Sequence, residues 1–115
     1  MNYNKISIKD EPRTELHDAL NLTGAEISIN VLPAGASVPF VHSHKQNEEI
    51  YAILEGKGYA VIDGEKIALT AGDFIRISPA AKRQFFACEN TAIKYLCIQV
   101  KENSLGGFTM TDAVV

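Results

Sequence analysis

Along most of the chain, apolar and polar residues alternate with a period of two, the spacing of strands rather than helices. Residues 25–32, AEISINVL, alternate in this way, and residues 49–54, EIYAIL, form a nearly continuous apolar run, as in a strand covered on both faces. GYAVID and EKIAL flank Asp63-Gly64, a dipeptide favoured in two-residue hairpin turns because both positions take positive φ. DFIRIS (73–78) follows the turn-like TAGD, and QFFAC (84–88) is separated from AIKYLCIQV (92–100) by ENT. Strands about ten residues apart, punctuated by Gly and Pro, predict an all-β sandwich or barrel. One segment departs from the pattern: RTELHDALNL (13–22) puts Leu16, Ala19 and Leu20 on one side of a short N-terminal helix, with His17 exposed or bonded locally.

At 115 residues the chain fits one domain, 1–115, with a core of its own and the tail SLGGFTMTDAVV folding back or docking on a neighbour. A net charge of −3, with lysines spread along the chain, argues against a basic surface for nucleic acid or membrane. No apolar run approaches the roughly 18–20 residues of a membrane helix, and MNYNKISIKDEP lacks the apolar stretch of a signal peptide. A cytoplasmic location is the expectation. Cys88 and Cys97 lie in apolar strand-like runs and are expected to be buried free thiols, since two cysteines without a secretory signal make no disulfide framework.

The chemistry concentrates in HSHKQNEEIYAILEG, residues 42–56, which holds two of the three histidines. Side chains at i and i+2 of a strand share a face, so His42 and His44 project together with Cβ atoms about 6.5–7 Å apart, close enough to converge on one ion. A carboxylate can complete the set. Glu49 shares a face with Tyr51 and Ile53, and Glu48 with Ile50 and Ala52; parity alone does not say which face is inward.

The stretch resembles the first motif of the cupins: Gly, five residues, His-x-His, three or four residues, Glu, six residues, Gly. Here Gly35, His42, His44, Glu49 and Gly56 supply it, with six residues rather than five after Gly35, and only Glu49 has the required spacing to Gly56. The second cupin motif (Gly, five residues, Pro-x-Gly, two residues, His, three residues, Asn) is degraded. Anchored on Pro79 its histidine position falls on Gln84; anchored on Gly72 it falls on Arg83. The final asparagine becomes Cys88 or Ala87.

The resemblance, spanning about Gly35 to Val100, implies a double-sheet, jelly-roll-like β-barrel with His42, His44 and Glu49 as ligands of a divalent transition metal. Two imidazoles and a carboxylate suit Fe, Mn, Zn or Ni and leave positions open for water or substrate. Gln84 is expected to add an amide oxygen as a fourth ligand; Arg83, which has no acceptor, then points away as a solvated turn residue beside Lys82. With Gln84 inward, Phe86 shares its face, so Tyr51 and Phe86 are the expected substrate contacts. Cupins include oxygenases, isomerases, decarboxylases and non-catalytic binders. The expected activity is therefore oxygenase- or isomerase-type chemistry on a small molecule, or else binding of a sugar or organic acid without catalysis. A homodimer is expected, because cupins commonly dimerise and NKISIKD lacks a partner within a small barrel.

Overall fold

The computed structural model describes residues 2–115. Its strands, all paired antiparallel, are β1 (Arg13–Glu15), β2 (Glu26–Leu32), β3 (Asn47–Ile62), β4 (Glu65–Thr70), β5 (Phe74–Ile77), β6 (Arg83–Ala87) and β7 (Ile93–Lys101). They make the double-sheet barrel anticipated from the sequence. One layer runs β1-β2-β7-β3-β5 and the other β4-β3-β6, so β3 belongs to both.

That sharing explains why two separate strand-like runs, EIYAIL and GYAVID, prove to be one 16-residue strand. Residues 49–52 pair with β7 and β5, whereas residues 58–62 pair with β4 and β6. Between the halves the register against β7 shifts at Ile53/Glu55, a bulge that leaves Leu54 exposed and bends the strand from one layer to the other. Gly56 sits at this bend with φ 81°, where a Cβ would lie 1.8 Å from the Ala92 carbonyl oxygen. No other residue fits there. The strand then reverses into β4 through Asp63 (φ 48°) and Gly64 (φ 83°), the two positive-φ positions of the hairpin turn.

The core lies between the layers, built from Tyr51, Ile53, Ala60, Leu69, Ile77, Phe85, Ile93, Tyr95 and Cys97. The expected helix over 13–22 is shorter than the pattern suggested. Arg13–Glu15 forms β1 on the free edge of β2, and α1 keeps only His17–Leu20. A neighbour decides the boundary: the Glu26 carboxylate of β2 accepts the backbone N–H groups of Leu16 (3.2 Å) and His17 (3.1 Å), capping the turn from outside the helix. Asn21, in the left-handed conformation, ends it.

The C-terminal tail contains a 3-10 turn (Thr109–Thr111), and Leu105, Phe108, Met110 and Val114 are all exposed. It is therefore not packed back on the barrel. No helix among the described residues is long and apolar enough to cross a membrane.

Candidate metal centre

His42 and His44 precede β3 in an extended segment that is pinned at both histidines. His42 N–H donates to the Arg83 carbonyl (3.1 Å) and Arg83 N–H to the His42 carbonyl (2.9 Å), while His44 N–H donates to the Pro79 carbonyl (2.8 Å). Directly opposed residues of an antiparallel pair share a face, so the side chains of His42 and Arg83 go the same way. Glu49, two residues into β3, comes to them from the sheet wall. One ligand atom from each of His42, His44 and Glu49 lies within 4.8 Å of the others. The parity question resolves in favour of Glu49, which is 2% exposed; Glu48 faces outward and pairs with Arg76 on β5.

The carboxylate of Glu49 is held from several sides. Its Oε1 accepts hydrogen bonds from the Tyr51 hydroxyl (2.8 Å) and from Arg83 Nη1 (2.9 Å). Its Oε2 accepts only the weak Cys97 thiol (3.3 Å) and lies 3.2 Å from His44 Nε2, and His42 Nε2 is 3.8 Å from Oε1. Burial pushes the Tyr51 phenol and the Cys97 thiol well above their ordinary values, with Glu49 pushing the same way, so both stay protonated as donors. Tyr95, also buried, is pushed up to about 12. Burial holds the His42 imidazole below its usual value; Glu49 opposes this, while His44, Arg83 and Arg13 reinforce it. A neutral imidazole is the form that binds a metal.

Two observations fit an ion here. His44 Nε2 and His42 Nδ1 are buried without a hydrogen-bond partner, although buried polar atoms are normally paired. The better accepting face of the site is Oε2, the oxygen that Arg83 and Tyr51 leave alone. His42, His44 and Glu49 would hold a divalent ion with borderline N and O donors.

Gln84 is not among these groups. Along β6 the side chains alternate Arg83 in, Gln84 out, Phe85 in and Phe86 out, and Gln84 Nε2 donates to the Val38 carbonyl (2.7 Å) outside the cavity. The expected fourth ligand is thereby corrected: the inward position belongs to Arg83, which is fully buried and anchored by Nη2 on the Ser78 carbonyl. Arg83 is thus no solvated turn residue. Phe86 is corrected with it. It stacks on Tyr59 (4.6 Å between centroids, 9° between planes) in a separate hollow, and Phe85 takes its place inside, stacked on Tyr51 (4.1 Å) and Tyr95 (5.3 Å). Tyr51 does line the central cavity, though its hydroxyl is engaged by Glu49. Cys88 and Cys97 are both free, Cys97 buried and Cys88 half-buried.

The cavity has a volume of about 540 Å³ and is lined in part by the β1–β2 edge and the Ser37–Phe40 loop. Arg13, Ser28 and Asn30, on β1 and β2 of the layer that carries Glu49, also line it and were missed from the sequence. The alternation in AEISINVL did mark Ser28 and Asn30 as sharing a face, but nothing local says that a polar face turns inward.

Residues 28–99 match the family model of the cupin domain. The chain belongs to the cupins. A crystal structure of a cupin protein from Bacteroides fragilis is 65% identical, covers 100% of this chain and 98% of its own, and superposes with a TM-score of 0.98. A structure described as a predicted oxalate decarboxylase, from Thermotoga maritima, is 28% identical over 65% of this chain and 64% of its own, with a TM-score of 0.61. An uncharacterized protein, MJ1618 of Methanocaldococcus jannaschii, is 37% identical over 67 residues, 58% of this chain. This cupin spans about half, 53%, of that curated relative's length. A sugar phosphate isomerase from Silicibacter pomeroyi shares the fold, at 21% identity and a TM-score of 0.67 over 78% of this chain and 60% of its own.

Proposed function

We propose that this cupin binds a divalent transition metal, Fe, Mn, Zn or Ni, through His42, His44 and Glu49 and acts there on a small molecule held in the cavity. The observation that carries the reading is the convergence of one ligand atom each from His42, His44 and the buried Glu49 to within 4.8 Å of one another. A metal held by three protein donors keeps open positions at which a bound ligand is polarised, as oxygenase- or isomerase-type chemistry requires. Around it the protein's own groups have definite tasks. Tyr51 and Arg83 fix the Glu49 carboxylate, and Phe85 and Tyr95 shape an apolar wall for the ligand. The likeness to structures described as a predicted oxalate decarboxylase and a sugar phosphate isomerase supports a small-molecule ligand.

A second reading is a non-catalytic binder of a sugar or organic acid. Arg83 favours it, because a cation in the place of a fourth ligand weakens the hold on the metal. The chain works as one cupin domain, as a homodimer and in the cytoplasm. The exposed Tyr3, Ile6 and Ile8 of the strand-like N-terminal arm supply an apolar contact for a second copy, and the two free thiols suit a reducing compartment. A sedimentation mass equal to the 12.6 kDa monomer across micromolar concentrations overturns the dimer.

The deciding experiment is elemental analysis of protein purified without a histidine tag, beside His44→Ala. Near-stoichiometric metal lost in the variant supports the centre. No metal in either protein, and none taken up on titration, removes it.

A further inference from the structure

The β2 part of the cavity wall, one strand beyond β7 from Glu49, is unusual for a barrel interior. Ser28 and Asn30 are both buried there, 2% and 6% exposed, where apolar side chains would cost nothing in desolvation. Each of their side-chain polar atoms has a partner, and the chain of bonds leads to Arg13. Asn30 Nδ2 donates to Ser28 Oγ (3.0 Å), and Asn30 Oδ1 accepts from Arg13 Nη1 (2.6 Å). The pair acts as a bracket that turns the Arg13 guanidinium toward the cavity it lines.

Arg13 has donors to spare. Besides Asn30, its contact among the described residues is Glu15, 3.6 Å from Nε in a half-exposed ion pair that solvent screens. The charge inside is unbalanced as well: Glu49 is the one acid lining the cavity and is already paired with Arg83, so the half-exposed Glu15, which does not line the cavity, is the counter-ion Arg13 has.

We propose that Arg13 anchors a carboxylate of the cavity's ligand, which is a small dicarboxylic acid with a short hydrocarbon backbone. This rests on the metal-site reading above only for where the second carboxylate goes. Arg13 opposes Asn30, Asn30 opposes Tyr95, and Tyr95 opposes Ile53, while Glu49 lies two inward positions along β3 from Ile53. The anchor and the His42/His44/Glu49 cluster therefore stand at opposite corners of the cavity, with Val38, Phe85 and Tyr95 lining the space between. An anion at each end and methylenes in the middle match that order. A carboxylate fits better than a phosphate monoester. Arg13 is the only Lys or Arg among the lining residues, and with one arm held by Asn30 it presents a single free edge, enough for one charge.

The test is calorimetric titration of wild type and Arg13→Gln with malonate, succinate, glutarate and adipate, with neutral succinamide and glycerol phosphate as controls. Each protein is titrated both metal-free and after loading with Mn²⁺. Arg13 is half-exposed at a sheet edge, so the variant keeps the fold. At least one dicarboxylate is expected to bind wild type ten-fold or more tightly than succinamide, and Arg13→Gln to lose at least ten-fold of that. Failure of every dicarboxylate to bind wild type overturns the anchor. So does equal binding by Arg13→Gln, or a stronger Arg13-dependent response to glycerol phosphate. The Mn²⁺ titration keeps the two ideas apart. A protein that takes up no Mn²⁺ but binds a dicarboxylate through Arg13 loses the metal centre and keeps the anchor.

Discussion

The two halves of β3 share one strand and one interior, yet they are built on different principles. The first half turns Glu49, Tyr51 and Ile53 inward, so an acid and a phenol lie buried beside an isoleucine. The second turns Ala60 and Ile62 against Leu69, Phe85 and Ile67 and contributes no polar side chain of its own, the buried Arg83 opposite Ile62 pairing with Glu49 of the first half. Packing alone is enough for the second half. The first is tolerable only because each polar atom has a specified partner, since a buried charge left alone is strongly destabilising. The bulge at Leu54 and the glycine at position 56 are what allow both to exist on one chain.

The sharpest way to break the contrast is at its hinge. Gly56→Ala drives a Cβ into the Ala92 carbonyl and is expected to cost more than about 4 kcal/mol, abolishing the cooperative thermal transition seen by circular dichroism. Gly64→Ala has a similar φ but open space around it, and is expected to cost only about 1–2 kcal/mol. Equal losses for the two would mean that the close approach at position 56 is unimportant.

Next in size is the buried pair. Arg83→Ala leaves Glu49 without its guanidinium and is expected to cost about 3–5 kcal/mol by urea denaturation of metal-free protein. The double variant Arg83→Met with Glu49→Gln, which removes both charges, should recover much of that. A double variant no better than Arg83→Ala would show that the pair matters through shape rather than charge. For metal, Glu49→Gln replaces the proposed anionic ligand by a weaker neutral amide oxygen. Its affinity for Mn²⁺ is expected to fall by at least the roughly 10–100-fold typical of losing even an outer partner of a ligand, read by calorimetry.

Smaller effects follow from titration and from the outer face of β6. His42 has a folded-state value below its ordinary 6.5, so between the two the unfolded chain binds more protons. Its stabilising contribution is full above pH 6.5 and is lost as pH falls through the lowered value. Metal-free wild type should therefore lose more stability from pH 7 to 5 than His42→Gln does, measured by urea midpoints; parallel losses would refute the shift. Gln84→Ala is expected to leave Mn²⁺ uptake unchanged and to cost about 1 kcal/mol for the Val38 hydrogen bond. A drop in metal affinity there would return Gln84 to the site.

Much of this was legible in the residues. The period of two and the Asp63-Gly64 turn point to the barrel through local geometry, and the spacing from His42 to Gly56 points to the His42/His44/Glu49 cluster through its resemblance to the cupin motif, since parity alone left Glu48 and Glu49 open. The β6 face was not legible. Gly72 and Pro79 are six residues apart where the motif has five, so counting from one glycine puts Arg83 inward and counting from the proline puts Gln84 there. A one-residue slip inverts every side chain of a strand, which moved Phe86 along with Gln84. The backbone pairing of His42 with Arg83 and of β3 with β6 decides the register. Arg13 was hidden for another reason: its role comes from Asn30, 17 residues away and on the next strand.

A strand that belongs to two layers also governs how the molecule comes apart. Each layer is anchored on its own half of one continuous strand, so neither can peel away without freeing residues that run directly into the other. In native-state hydrogen exchange the amides of β3 should open only with global unfolding, and those of Glu49 and Ala60, from its two halves, should report one and the same free energy.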